Sequence, residues 1–500
     1  MKILAAAQLK ELDQYTIQHE PIASIDLMER AATEFTNAIT ELIRTNEPVM
    51  VFCGMGNNGG DGLAIARMLI ERGYLHVSAY VVRHSPNGSA DFLVNEERLK
   101  NIAGIHYIET EFQIPLIPKQ TVVIDAIFGS GLTRPIEGLT AATVTVLNNS
   151  NAIIYSVDVP SGMYCDQPNK SSDTVVQSDI TFTFHAPKLS FLLPSAANYV
   201  PDFRVLDIGL NKTYSENLAS PYSYLTHQTI QSAFKHRNKF SHKGTHGHAL
   251  IAAGSYGKAG AAVLAVNAAL HSGAGLVTAC IPACAYNIVQ TACPEAMVVA
   301  DRTNDELSSL PEISAFSAIG VGPGIGISKN TVAFVEKLLE NAAQPLVFDA
   351  DALNILSENK QLLNRLPVNA ILTPHPGEFK RLAGEWTDDL HKLELQREFA
   401  ATYNTTIVLK GAHTSIALPN GQIFFNSTGN AGMAKGGSGD VLTGVIASLL
   451  AQGYSPANAA IIGVFVHGMA GDYAATYLSQ TGMSAGDIIR YLPEAFSVFE

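Results

Sequence analysis

Short runs of β-branched and aromatic residues alternate along the chain with longer stretches whose apolar positions recur at helical spacing. In the first half the runs are VMVFCG (49–54), HVSAYVV (76–82), TVVIDAIFG (121–129), AIIYSVDVP (152–160) and DITFTFHAP (179–187). Between the first two, a Gly-rich loop leads into LAIARMLIERG (63–73), which carries the pattern of a helix. Strands separated by helices predict a parallel, doubly wound sheet. A second alternating series reads HALIAAG (248–254), LVTACIP (276–282), ISAFSAIGVG (313–322), QPLVFDAD (344–351), NAILTP (369–374) and TTIVLKG (405–411). GQIFFNS (421–427) then leads to a glycine cluster and the apolar helix VLTGVIASLLAQG (441–453). Between the two series, NKTYSENLASPYSYLTHQ (211–228) is polar and rich in turn formers, without periodicity, and reads as the interdomain connection. Both halves are therefore α/β, with different loop motifs and no internal repeat.

At 500 residues the chain is too long for one ordinary core, so more than one domain is expected. Hydrophobic residues make up 47% of it and no long polar tract occurs, which excludes disorder as the main theme. A net charge of −13 argues against a nucleic-acid backbone or an anionic membrane as the main partner. The five cysteines (Cys53, Cys165, Cys280, Cys284 and Cys293) form no C-x-x-C pair, and an odd count suits a reducing, cytoplasmic setting better than a disulfide framework. Cys280, Cys284 and Cys293 lack a fourth ligand at metal-site spacing and read as small residues of an apolar stretch. Charges interrupt MKILAAAQLKELDQYTIQHE, so no secretory signal is expected there. AGAAVLAVNAALHSGAGLVTACI carries Asn267, His271 and several glycines and reads as a buried helix–turn–strand segment, not a membrane span.

Gly54-Met-Gly-Asn-Asn-Gly59 fits G-x-G-x-x-G between a strand and a helix, the setting of a dinucleotide-binding turn. Two features depart from an ordinary dehydrogenase. The next strand ends on Arg83 and not on an acid, and Asp61 at the helix start would repel a pyrophosphate lodged on the helix amides. As a single residue Asp61 reads as a helix cap; Asn57 and Asn58 beside two glycines favour a ligand-facing turn. Asp125 and Asp158 each end a predicted strand, and each alone would be a turn or cap residue. Ligands of open parallel sheets bind outside the carboxyl ends of the strands, so Asn58, Asp125 and Ser161 can converge there as oxygen donors for a hard cation. Gly129–Pro135 would then form a backbone-lined loop around an anionic ligand.

These segments, GNNGGDG, DAIFGSGL, DVPSG and FHAPK, resemble the NAD(P)H-hydrate epimerase family over residues 1–215. The resemblance implies that Asn57, Asn58, Gly59, Gly60 and Asp61, the loop Gly129, Ser130, Gly131, Leu132, Thr133, Arg134 and Pro135, and Asp158 bind the hydrated nicotinamide nucleotide. It implies further that Asn58, Asp125 and Ser161 hold potassium. Epimerisation at a hydrated ring carbon needs charge stabilisation and proton management, for which Asp158 and Lys188 are the candidates. Lys188 is the weaker of the two, because a lysine at a strand end is ordinarily solvated. The family commonly has Ala where this chain has His185, a departure that touches no expected ligand.

In the second half Gly436-Gly-Ser-Gly-Asp440 opens the helix VLTGVIASLL. Exposed amides at that N-terminus form a hole for a transferring phosphoryl group. Asp440 beside it is placed to take a proton from a substrate hydroxyl, or to cap the helix, and the two roles are compatible. Lys435 would add positive charge or point to water. The Gly-Gly-x-Gly-Asp arrangement resembles the ribokinase-like superfamily. SHKGTHGH (241–248), AAGSYGKAGAAVLA (252–265), HSGAGLV (271–277), GVGPGIG (320–326), DADALN (349–354), TPHPGE (373–378), KGAHT (410–414) and GNAGMAKGGSGDVLTG (429–444) narrow it. Together they resemble the ADP/ATP-dependent NAD(P)H-hydrate dehydratase family over residues 226–500. By that resemblance Ala261, Gly324, His375 and Asp440 contact the hydrated nucleotide, while Lys410, Gly411, Ala412, His413, Thr414 and Gly439 hold ADP or ATP. Asp349 and Asp351 would assist magnesium through water, with Asp351 equally suited to capping the following helix. Ala431 replaces a proline frequent in the family.

The expectation is two three-layer αβα domains, an N-terminal Rossmann-like doubly wound sheet and a C-terminal ribokinase-like domain, in a bifunctional repair enzyme. Its partners would be hydrated NADH and NADPH, ADP or ATP, and further copies of the chain, with no nucleic acid and no membrane. Two rival readings remain: a small-alcohol kinase with an accessory N-terminal domain, and a second half active beside a non-catalytic first half. Phosphate release with cofactor recovery separates the first rival. Asn57, Asn58, Asp61, Asp125 and Asp158 at strand ends speak against the second.

Overall fold

The computed structural model describes residues 1–500 and divides into two compact units, Lys2–Ser220 and Pro221–Glu500, with Met1 grouped with the latter. The first unit holds β1 (Val49–Cys53), β2 (Val77–Val82), β3 (Ile105–Ile108), β4 (Val122–Ala126), β5 (Ile153–Val157), β6 (Ile180–Phe184) and β7 (Phe203–Leu206). They pair in the order β3-β2-β1-β4-β5-β6-β7, every pair parallel. Alternate residues of β1 serve opposite faces. Val49, Val51 and Cys53 pack with Phe35, Leu63 and Leu69 from helices Ser24–Thr40 and Asn57–Glu71. Met50 and Phe52 pack with Val144 and Leu147 from helix Gly138–Asn148 on the other face. Burial on both faces explains why these strands read as continuous apolar runs. The strand order reverses between β1 and β4, so the loops there part and leave a crevice at the carboxyl ends.

The second unit is a ten-stranded sheet: β8 (Tyr222–Tyr224), β9 (His248–Ala252), β10 (Leu276–Ile281), β11 (Met297–Ala300), β12 (Ala318–Val321), β13 (Leu346–Phe348), β14 (Ile371–Leu372), β15 (Thr406–Leu409), β16 (Ser415–Ala417) and β17 (Ile423–Phe425). The order is β11-β10-β9-β12-β13-β14-β15-β16-β17-β8, parallel except around β16. Ala249 and Ile251 of β9 pack under helices Ala259–His271, Ser438–Ala451 and Pro456–Gly482, and Leu250 and Ala252 on the opposite face are equally buried.

Every run singled out in the sequence contains a strand, but five strands carried no such signal. β3, β7 and β11 are short, half-exposed strands at sheet edges, where alternation is weak. β16 is a three-residue return strand of a hairpin. β8 lies in the segment 211–228, expected to be a structureless connection; it also contains helix Lys212–Asn217 and the first residues of helix His227–Ala233. Tyr222 and Tyr224 form an edge strand that pairs with Ile423–Phe425, two hundred residues downstream, which no local pattern reveals.

Candidate functional site

In the first unit the turn after β1 is shaped by two close approaches. A Cβ on Gly54 would lie 2.0 Å from the Ile127 carbonyl oxygen, and one on Gly59 would lie 2.0 Å from that of Gly54. Only glycines let the helix Asn57–Glu71 start this tightly against the turn. Gly60 is less tightly confined, with the Met28 sulfur 2.8 Å from where its Cβ would stand, while Asn57 stays exposed. Asp61 is the fifth residue of that helix, whose N-cap is Gly56, so the capping reading is corrected: Asp61 lies past the first turn, 9% exposed, its carboxyl held well above 3.8 by burial and then by Asp158 and Asp13.

Asp125, at the end of β4, is fully buried and gathers four donors. Its Oδ1 accepts from Ser161 Oγ at 2.5 Å and from the Ile127 amide at 3.3 Å. Its Oδ2 accepts from the Ser161 amide at 2.8 Å and Ser156 Oγ at 2.9 Å. Burial still raises its pKa, and no basic group offsets the charge. The Phe128 amide donates to Ser161 Oγ at 2.8 Å, and a Cβ on Gly129 would lie 3.2 Å from Asn58 Oδ1, so Asn58, Asp125 and Ser161 meet around the turn 127–129. Asn58 Nδ2 is buried without a hydrogen-bond partner. From Gly129 to Pro135 the chain is a loop: Gly131, Thr133, Arg134 and Pro135 are exposed, Leu132 packs at the edge of the Met50–Phe52 core, and the Ser130 carbonyl accepts from Cys165 Sγ.

Asp158 follows β5 at φ 63°, a left-handed conformation unusual for a non-glycine residue. Its Oδ1 accepts from Lys188 Nζ at 2.8 Å, the Phe184 amide at 3.1 Å and Thr183 Oγ1 at 3.3 Å. Lys188 is 1% exposed and not solvated, contrary to the expectation for a strand-end lysine, because the loop after β6 folds it back onto Asp158. His185 at φ 68° hydrogen-bonds Ser215 Oγ, and burial together with Lys188 pushes its pKa down to about 4. Asp13, which sequence reasoning passed over, belongs to the same electrostatic group.

In the second unit Gly437 is the N-cap of helix Ser438–Ala451 at φ 98°, a left-handed turn suited to glycine. Asp440 is the third helical residue, and its carboxyl makes no capping bond, so the cap reading fails. Burial and then Asp349 push its pKa up to about 7, although Lys410 lowers it. Lys410 Nζ donates to Asp349 Oδ1 at 2.7 Å, Thr443 Oγ1 donates to Asp349 Oδ2 at 2.8 Å, and a Cβ on Gly439 would lie 3.3 Å from Lys410 Nζ. Lys410, Asp349, Gly439 and Asp440 thus share one spot. His375 caps helix Pro376–Ala383: its Nδ1 accepts from the Gly377 amide at 3.0 Å, and its Nε2 faces Glu378 at 3.5 Å. Glu378 in turn stands 3.9 Å from Lys410.

Ala261 meets Gly324, where an added Cβ would lie 3.1 Å away, and Lys258 beside them pairs with Asp351 at 3.2 Å. Asp351 accepts from the Gly326 amide at 2.9 Å, so it braces that loop instead of capping its helix. Thr414 Oγ1 closes the turn Gly411–Thr414, with Ala412 exposed at its tip and His413 facing the Asn426 carbonyl at 3.3 Å. Lys435 lies exposed at the surface, where its ammonium donates to the Thr481 and Met483 carbonyls. Sequence reasoning missed Glu378, Thr443 and His467. His467 is buried, burial pushes its pKa down to about 4, and its Nε2 is left without a partner, as is the buried Ser438 hydroxyl. Nothing in the local sequence around Val466–Gly468 distinguishes it from an apolar helix.

All five cysteines are free thiols, and no helix is long and apolar enough to cross a membrane. Two family models match: NAD(P)H-hydrate dehydratase over residues 249–494 and YjeF-related protein N-terminus over residues 24–190. The chain is 36% identical to a bifunctional NAD(P)H-hydrate repair enzyme of Moorella thermoacetica, over 99% of this chain and 96% of that one. It is 33% identical to the enzyme of the same name from Coxiella burnetii, over 97% of each. Among solved structures, a ribokinase-like superfamily protein from Enterococcus faecalis V583 is 27% identical with TM-score 0.50, covering 57% of this chain and 98% of that one.

Proposed function

The chain belongs to the bifunctional NAD(P)H-hydrate repair enzymes, and on that premise we propose how its two units divide the work. The first, taken as residues 1–215, interconverts the R and S hydrates of NADH and NADPH. The second, residues 226–500, transfers a phosphoryl group from ADP or ATP to the S-hydrate hydroxyl and eliminates phosphate to restore the reduced cofactor. The observation that carries this reading is the setting of Asp440. A carboxylate with its pKa pushed up to about 7 stands beside the amide-lined N-terminus of a helix, next to a lysine, and so joins a base to an oxyanion cradle.

In the second unit Asp440 takes the hydroxyl proton while the Gly437–Gly439 amides receive the transferring phosphoryl oxygens. The hydroxyl oxygen bonds to phosphorus as the bond to the leaving nucleotide breaks. Phosphate is then a far better leaving group than hydroxide: the ring nitrogen's electron pair expels it, and loss of a proton from the neighbouring carbon restores the double bond. Ala261, Gly324 and His375 would line the hydrate, and Lys410–Thr414 with Gly439 the adenine nucleotide. The chain gathers no trio of acidic or histidine ligands, and Asp349 and Asp351 are already paired with lysines, so magnesium would be held mainly by nucleotide phosphates and reach these aspartates through water.

In the first unit Asn57–Asp61, Gly129–Pro135 and Asp158 would contact the hydrate, with the Asp158–Lys188 pair stabilising charge. The cation pocket fits potassium on chemical grounds: a buried carboxylate with no cationic partner, a serine oxygen and an amide oxygen, without nitrogen or sulfur donors. Bound there, potassium would neutralise Asp125 and ease the approach of an anionic nucleotide. Five free thiols support a reducing compartment such as the cytoplasm.

The test supplies purified protein with mixed hydrate epimers and follows dihydronicotinamide absorbance with ADP, with ATP and with neither. Complete recovery with release of one phosphate for each hydrate is expected. Phosphate retained on the substrate would instead make the second unit a small-alcohol kinase.

A further inference from the structure

Asp13 lies on helix Ala6–His19, near the start of the chain and outside every motif used above. Ala6, Leu9, Asp13 and Thr16 recur at helical spacing and form one stripe. Ala6 packs with Val159 and Cys165 just beyond β5, Leu9 packs beside Phe184 at the end of β6, and Thr16 is fully buried. The stripe therefore faces the carboxyl ends of β5 and β6. A carboxylate on such a face is costly unless something uses it.

Charged groups from four elements meet where the stripe points. Lys188 Nζ donates to Asp158 Oδ1 at 2.8 Å, the Phe184 carbonyl at 3.2 Å and the Ala186 carbonyl at 3.4 Å, which spends all of an ammonium's donors. That pair is satisfied within itself: Asp158 Oδ1 is taken up by Lys188, and Lys188 has no N–H left for a substrate. His185 in the same loop is neutral and hydrogen-bonded to Ser215, so it adds no positive charge. Asp61 enters from helix Asn57–Glu71, 9% exposed. Neither Asp61 nor Asp13 has a hydrogen-bond or ion-pair partner within the protein. One ammonium faces three carboxylates, two of which are left for a ligand.

Resting on the epimerase reading of this unit, we propose that Asp13 is its acid–base residue, carrying one proton between the hydroxyl and the ring nitrogen of the hydrate. The Asp13 carboxylate takes the hydroxyl proton, and an aldehyde C=O forms as the bond from that carbon to the ring nitrogen breaks. The electron pair passes to nitrogen and its conjugated carboxamide, and nitrogen takes the proton back from the Asp13 carboxyl. Rotation about the adjoining C–C bond presents the other aldehyde face, and the same steps reversed close the ring as the opposite epimer. No co-reactant enters and none is left over. Asp13 suits this role better than Asp61 because it is only half-buried and stays in protonic contact with water. Burial, reinforced by Asp158 and opposed by Lys188, pushes its carboxyl up to about 7, so that in neutral solution protonated and ionised forms coexist and it can both take and return a proton. Asp61 is the more deeply buried of the two, and burial, reinforced by Asp158 and Asp13, holds its carboxyl well above the usual carboxylate range.

The experiment uses full-length Asp13→Asn and Asp13→Glu, with R-to-S conversion followed chromatographically without ADP. Dehydration of pure S hydrate and the melting temperature serve as controls. For Asp13→Asn, kcat of epimerisation should fall about a hundredfold or more while KM moves only a few-fold. Wild-type kcat should decline as pH falls through about 7, and the residual activity of Asp13→Asn should lack that limb. Asp13→Glu should restore part of the rate together with the limb. A wild-type rate in Asp13→Asn, or an unchanged acid limb, would overturn the assignment, as would loss of folding in both variants, which would make Asp13 structural. No epimerisation by the wild-type chain would instead remove the epimerase reading itself.

Discussion

Replacing Asp440 by asparagine is expected to move activity and stability in opposite directions. The carboxyl stands in the first turn of helix Ser438–Ala451 beside Asp349, and burial and that neighbour push it from 3.8 up to about 7. At ~1.4 kcal/mol for each tenfold change in proton affinity, the ionised form costs the native chain at most about 4 kcal/mol relative to the unfolded one. Solvent screening and the favourable helix dipole reduce this to about 1–3 kcal/mol. The sign follows from a raised acid. Between pH 3.8 and about 7 the native state keeps a proton that the unfolded chain has lost, so stability falls as pH rises through that window and is level above it. Asp440→Asn escapes the cost, so above about pH 7 it should melt higher than the wild type, and the advantage should vanish toward pH 3.8. Dehydration should fall about a hundredfold or more, with epimerisation unchanged. The wild-type rate itself should drop as pH falls through about 7, because the base must be ionised. Thermal melts across pH, paired with ADP-dependent recovery of dihydronicotinamide absorbance, measure both effects. Near-normal turnover together with a lower melting temperature would refute the reasoning and leave Asp440 as a group that only steadies the helix.

Three other outcomes are expected. Asp125→Ala should remove the potassium dependence of epimerisation and weaken the affinity for hydrate; a wild-type rate unaffected by replacing potassium with a bulky organic cation would reassign Asp125. Lys410→Met strips the partner from the buried Asp349 carboxylate, so it should destabilise the chain by about 3–5 kcal/mol in thermal melts and impair dehydration. Division of the gene after Ser220 should yield two separately soluble proteins. The C-terminal piece should consume S hydrate and stall on R, and equal consumption of both epimers would end the division of labour.

Much of the site was legible because its residues sit next to glycine-rich turns. Gly54–Asp61 and Gly436–Asp440 are marked by the freedom a backbone needs where it approaches a ligand or another chain segment closely. Lys188 was legible only as a position. Its burial depends on a loop folding back over Asp158, and strand-end lysines that point to water look the same in sequence. Asp13 and His467 were not legible at all: one is a single carboxylate on a helical stripe, the other a single imidazole in an apolar helix.

The sequence by itself determined the two alternating strand series, the all-parallel first sheet and the turns that carry glycine, because apolar periodicity and backbone sterics act over a few neighbouring residues. It also carried the family in motifs too long and too ordered for chance. Only the tertiary structure decided that β8 pairs with β17, that Asp61 and Asp440 stand inside their helices as raised acids and not as caps, and that Asp13 joins Asp61, Asp158 and Lys188. The physical reason is distance. A carboxyl's proton affinity is set by burial and by charges that arrive from elements tens to hundreds of residues away, and no local pattern records which of them will meet.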